Sequence, residues 1–119
     1  MTDLVLHLED DYTVRMTFKL AFKTTSHKLM QFYAPSEVDP KLYSEARAII
    51  SDYDMFGETA LDMLKYLHDH KIRTPVIMTS GDEGNYNKIK ELGLDKNIIF
   101  WGNKTIPIND IIIMINNCK

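Results

Sequence analysis

Apolar and polar positions follow one another along this chain in two rhythms. Short unbroken apolar runs, rich in β-branched residues, recur at 4–8, 48–50, 75–80 and 97–101. Runs of that length suit strands buried on both faces of a parallel sheet. Lys28 to Tyr33 is more amphipathic and predicts a strand nearer an edge. Between the runs the apolar residues take helical spacing. Val14, Phe18, Ala21 and Phe22 share one face, as do Ile108, Ile111, Ile112 and Ile115 of a terminal helix. Ala60, Leu64 and Leu67 predict a helix over 57–70, its stripe widened by Leu61 and Met63. A shorter helix carries Ile89 and Leu92 and is stopped by Gly93. Asp39 and Pro40 read as an N-cap and first-turn pair opening a brief helix before the third strand. Five strands alternating with five helices predict an α/β, doubly wound parallel sheet with right-handed crossovers.

The bulk properties narrow the chemistry without naming it. With 119 residues, 45% of them hydrophobic and 26% charged, the chain is expected to form a single domain over 1–119. A formal net charge of −3 supplies no cationic footprint, so direct nucleic-acid binding is not expected. No apolar run is long enough for a membrane span, and the acidic N-terminus lacks a leader's basic start. One cysteine, Cys118, excludes an internal disulfide and fits a reducing compartment. A cytoplasmic location is the expectation.

Chemistry gathers where the predicted strands end. Glu9, Asp10 and Asp11 follow the first strand, and Asp52 and Asp54 follow the third. Thr79 and Ser80 close the fourth, and Lys104 follows the fifth. An Asp after a strand often does no more than cap a turn, and Asp11 stands where the N-cap of the first helix belongs. In a flavodoxin-like sheet ordered 2-1-3-4-5, strands 1 and 3 are neighbours at the point where the order reverses, and ligands bind there. Glu9, Asp10 and Asp52 would then meet in one pocket. Clustered carboxylates repel unless a cation sits among them, and a hard divalent ion prefers their oxygens. With Thr79 and Lys104 alongside, the set suits a divalent metal and a phosphoryl group. His7 reads as a packed strand residue, and His68 and His70, two apart, diverge on a helix.

Glu-Asp-Asp after strand 1, Ser-Asp-Tyr-Asp-Met-Phe-Gly after strand 3, Pro-Val-Ile-Met-Thr-Ser in strand 4 and Asn-Lys-Thr after strand 5 resemble the receiver domain of two-component response regulators. The resemblance covers essentially the whole chain and implies roles for individual residues. Asp52 would be the phosphoacceptor. Glu9, Asp10, Asp52 and the main-chain carbonyl of Asp54 would ligate Mg²⁺ or Mn²⁺. Thr79 and Lys104 would bind the phosphoryl group, and Thr79 with Trp101 would form the switch. The donor would be a sensor histidine kinase or a histidine phosphotransfer protein, and a downstream protein target would read the face of helix 4, strand 5 and helix 5. Self-phosphorylation and autodephosphorylation would be the only catalysis.

Departures from the family pattern are also plain. Phe56 replaces a proline after Met55, and Thr105 replaces the proline after Lys104, which in the family follows a cis bond. Ser80 replaces a small residue, and Trp101 is bulkier than the usual aromatic. These changes motivate an alternative, a degenerate receiver that binds a protein partner whatever its phosphorylation state. A flavin carrier on the same scaffold would need a phosphate loop after strand 1, where three acids stand instead. Ile113 lies off the buried stripe of the last helix, a hint of a weak homodimer.

Overall fold

The computed structural model describes residues 3–118. β1 (Leu4–Leu8), β2 (Lys28–Phe32), β3 (Ala48–Ser51), β4 (Val76–Met78) and β5 (Ile98–Trp101) form one sheet, every neighbouring pair parallel, in the order β2-β1-β3-β4-β5. This is the predicted 2-1-3-4-5 order. All residues of β1 and β3 are buried, as their unbroken apolar runs require, whereas the edge strand β2 is half-buried to exposed. Successive β1 residues feed opposite cores. Leu6 and Leu8 join Ile49, Met63, Leu64 and Leu67 on one face, while Val5 joins Phe18, Phe22, Ile50, Ile111 and Ile115 on the other.

The helices are α1 (Tyr12–Phe22), α2 (Lys41–Glu45), α3 (Leu61–Asp69), α4 (Glu83–Glu91) and α5 (Ile108–Asn116). Asp11 caps α1 as expected, its Oδ1 accepting the Val14 amide at 3.1 Å. The pair before α2 is displaced by one residue from the expectation: Pro40 is the N-cap and the helix begins at Lys41, while Asp39 Oδ1 accepts the Lys41 amide at 3.1 Å from outside the helix. A 3₁₀ turn at Pro35–Glu37 precedes it.

The segment before α3 corrects the sequence expectation. Gly57 to Ala60 is not helical. Asp54–Met55 and Glu58–Thr59 pair antiparallel around Phe56 and Gly57, whose φ angles are +47° and +76°. Two central residues at positive φ are what a type I′ hairpin turn demands, and glycine is at home at the second. Ala60 is fully buried, but it precedes the helix rather than lying in it. Leu92 likewise sits past the end of α4 and is exposed, leaving Ile89 as that helix's buried residue.

Candidate functional site

β1, β3, β4 and β5 all run the same way, so the residues that follow them emerge at one end of the sheet. Register carries this to single positions, since Leu8 pairs with Ser51 and Ser51 with Met78. The residues immediately following, Glu9, Asp52 and Thr79, are therefore brought side by side. Glu9 and Asp52 are buried, and Asp10 is half-buried. One carboxylate oxygen from each of the three lies within 4.8 Å of the others.

Lys104 closes the cluster from the loop after β5. Its Nζ lies 3.0 Å from Glu9 Oε2 and 3.1 Å from Asp52 Oδ2. Asp52 Oδ1 accepts the Tyr53 amide at 2.7 Å, and Asp10 Oδ2 accepts the Phe56 amide at 3.3 Å. Glu9 Oε2 also accepts the Asp11 amide at 3.0 Å, and its carbonyl accepts Arg15 Nη1 at 2.8 Å. Glu9 Oε1, fully buried, has no hydrogen-bond partner. An orphaned buried carboxylate oxygen is costly in an apolar setting, and hard oxygen donors gathered this closely fit a divalent cation. The residues present thus fit the metal that the sequence implies.

The electrostatics follow from burial. Desolvation lifts the Glu9 carboxyl to about 7, although the Asp11 amide and Lys104 pull it down. Burial alone would lower the Lys104 ammonium, but its hydrogen bonds to Glu9 and Asp52 outweigh that and raise it. His7 is a packed strand residue, as read. It packs against Phe18 with ring centroids 4.1 Å apart and the rings tilted by 33°, and burial, then Arg15, drives its pKa to about 3, so it is neutral.

The other predicted residues are placed as follows. Thr79 is buried; its amide donates to the Ser51 carbonyl at 3.0 Å and its hydroxyl to the same oxygen at a slack 3.4 Å. Thr79 and Lys104 both line a 200 Å³ cavity against Thr13 and Thr17 of α1. Asp54 opens the hairpin with its side chain in solvent and is not among the gathered carboxylates. The Lys104–Thr105 bond is trans, and Lys104 nonetheless reaches both acids. Thr105 is instead fixed by Asn103, whose Oδ1 accepts its amide at 3.0 Å and its hydroxyl.

Trp101 is half-buried, its ring 6.3 Å from that of Tyr53 and 5.0 Å from that of Tyr86. It lies so close to Gly81 that a Cβ there would stand 2.7 Å from Trp101 Cζ2. The Tyr53 and Tyr86 contacts, the Arg15 bond to Glu9 and the Phe56 hairpin were not anticipated from sequence. The Phe-Gly pair flanked by Asp-Met and Glu-Thr was the one signal for the hairpin.

No protein-family model matches the chain, and no curated protein matches it. Solved structures do. A CheY-like response regulator receiver domain protein from Methanospirillum hungatei superposes with a TM-score of 0.79 at 15% identity, over 98% of this chain and 92% of that one. A response regulator receiver domain protein from Clostridium thermocellum gives 0.76 at 19%, over 98% and 93%. The beryllofluoride-activated NtrC4 receiver domain dimer gives 0.77 at 13%, over 97% and 94%. Sheet order, helix placement and near-complete mutual coverage agree: this chain has the fold of the response-regulator receiver domains.

Proposed function

We propose that the protein is a response-regulator receiver that accepts a phosphoryl group on Asp52, with Mg²⁺ or Mn²⁺, from a histidine kinase or histidine phosphotransfer protein. The observation that carries the proposal is the Glu9–Asp10–Asp52 cluster with Lys104 bridging Glu9 and Asp52. An Asp52 oxygen would attack the phosphorus of a phosphohistidine. The P–O bond forms as the P–N bond breaks, and the imidazole leaves and takes up a proton. Lys104, already 3.1 Å from Asp52, supplies positive charge where phosphoryl oxygens gather. The slack Thr79 hydroxyl bond leaves that group free to turn from Ser51 to a phosphoryl oxygen. A divalent ion held by Glu9, Asp10, Asp52 and the Asp54 carbonyl would neutralise phosphoryl charge.

Readout follows from the same pocket. Drawing Thr79 and Lys104 toward a new anion would shift the loops that precede α4 and α5, the first of which holds Gly81 against Trp101. Leu92, Ile99 and Ile113, all exposed and carried by α4's end, β5 and α5, supply apolar anchors for a downstream protein or a second copy of this chain. Incubation with phosphoramidate and Mg²⁺ tests the proposal. The expected result is a mass increase of one phosphoryl group, absent in Asp52→Asn and in EDTA. No modification of the parent protein would overturn it.

One observation favours the alternative, a degenerate receiver acting as a phosphorylation-independent binding module. Phe56 and Thr105 stand where the receiver pattern has prolines, and Phe56 there lies at the tip of a hairpin with φ +47°. A protein that refuses the phosphoryl group but keeps its partner after Asp52→Asn would meet that description.

A further inference from the structure

Three cations gather at the opposite end of the sheet from Asp52. Lys71 and Arg73 lie between α3 and β4, and Lys96 lies between α4 and β5. Each is exposed, and among the described residues none of the three forms an ion pair or a side-chain hydrogen bond. They line a single hollow of 660 Å³ together with His68. Its apolar lining is the half-buried Ile72, with the core residue Leu67 beneath, and its wall is pinned by Asn97, whose Nδ2 donates to the Ile72 and Thr74 carbonyls at 2.7 and 2.9 Å.

Gathering like charges in one concavity costs free energy unless an anion joins them, and this chain is acidic overall at −3. Lys71 also has a fixed backbone position. It terminates α3 at φ +55°, with its amide donating to the His68 carbonyl at 3.2 Å and the Ile72 amide to the Leu67 carbonyl at 2.9 Å. This is the left-handed helix terminus that glycine fills at least cost. A lysine held there gives up stability relative to glycine.

We propose that this hollow binds a small, multiply charged phosphate compound with an apolar body, of about nucleotide size. Three cations match several phosphate charges, the half-buried Ile72 matches the apolar part, and the volume falls in the range of small-ligand sites. The site is separate from the phosphoryl pocket: the hollow borders the start of β4, whereas Thr79 follows its end.

The test is titration of the full chain with inorganic pyrophosphate, then with ADP, in EDTA, followed by amide chemical shifts. Shifts centred on Lys71, Ile72, Arg73 and Asn97 are expected, with ADP binding several-fold more tightly than pyrophosphate. Lys71→Gly keeps the helix terminus while removing the charge. It should weaken binding about fivefold, the effect of losing one solvent-screened charge pair. Arg73→Gln and Lys96→Gln should weaken it by a similar factor each. Shifts confined to Thr79 and Lys104, binding untouched by the three substitutions, or a response to an acidic peptide but not to pyrophosphate or ADP would each overturn the proposal.

Discussion

Gly81→Ala has a cost that the geometry specifies closely. Gly81 holds φ +142°, and a non-glycine residue in that region gives up ~1–3 kcal/mol. The added methyl would stand 2.7 Å from Trp101 Cζ2 and 3.2 Å from Tyr53 Cβ. Carbon atoms in comfortable contact are ~3.5–4.0 Å apart, so the indole must retreat by about 1 Å. Tyr86, with its ring centroid 5.0 Å away, adds to the crowding. Overpacking of this kind costs a further ~1–3 kcal/mol, which brings the total to ~2–6 kcal/mol if the ring stays between the tyrosines. If the ring swings out instead, the packing part is relieved and the indole meets water. Trp101 is the only tryptophan, so its emission reports the pocket and its urea transition reports the cost. The expected result is a lowered urea midpoint with either unchanged emission (ring retained) or a red shift (ring expelled). A variant matching the parent in both would refute the packing described here.

Two further predictions test the pocket and the hairpin. Because burial lifts Glu9 to about 7, this carboxyl must release a proton before it can ligate a metal. Mg²⁺ affinity by calorimetry should therefore be about tenfold weaker at pH 6 than at pH 8, and a flat profile counts against the assignment. Without metal, the folded state holds that proton more tightly than the unfolded chain does. Its stabilising contribution is complete below the ordinary value of 4.5 and lost as pH rises through about 7, so the melting temperature should fall across that window and recover with Mg²⁺. At the hairpin tip, Phe56→Asn should raise stability by ~0.5–1 kcal/mol, since Asn-Gly is the preferred type I′ pair. Phe56→Pro should lower it by ~2 kcal/mol or more, because proline cannot reach φ +47°. Urea denaturation reads both, and equal midpoints would refute the turn assignment.

The hairpin also shows why part of the molecule was legible in sequence and part was not. The centre and one edge of the sheet followed from the burial pattern, because only strands covered on both faces read like 4–8 and 48–50, and the amphipathic β2 falls at the edge; the full order came from the flavodoxin-like arrangement that alternating strands and helices suggest. The three acids were traceable for the same reason: once β1 and β3 are neighbours, register alone brings Glu9 and Asp52 together. The segment from Gly57 to Ala60 was not traceable, since Ala60 has helical spacing to Leu64 and Leu67 and is buried like them, although the chain has not yet begun to coil. Two-residue strands leave no periodicity to detect, so the turn residues had to carry the signal, and Phe56 is a poor advertisement for positive φ.

Phe56 and Thr105, where the receiver pattern that the sequence resembles has prolines, each have a structural sense of their own. A proline at 56 is incompatible with a type I′ turn, so losing it is a condition of the hairpin rather than a defect of the site. In exchange, the hairpin aims the Phe56 amide at Asp10 and sets the Phe56 ring edge-on to Tyr33, with centroids 5.1 Å apart. Its second strand is held by Glu58, whose carboxylate accepts both the Ser36 amide, at 3.0 Å, and the Ser36 hydroxyl, at 2.5 Å. At 105, the trans bond leaves Lys104 aimed by attraction to two buried carboxylates instead of by backbone geometry. Any change that neutralises Glu9 therefore loosens Lys104 as well, so that one ammonium group couples Glu9 to Asp52.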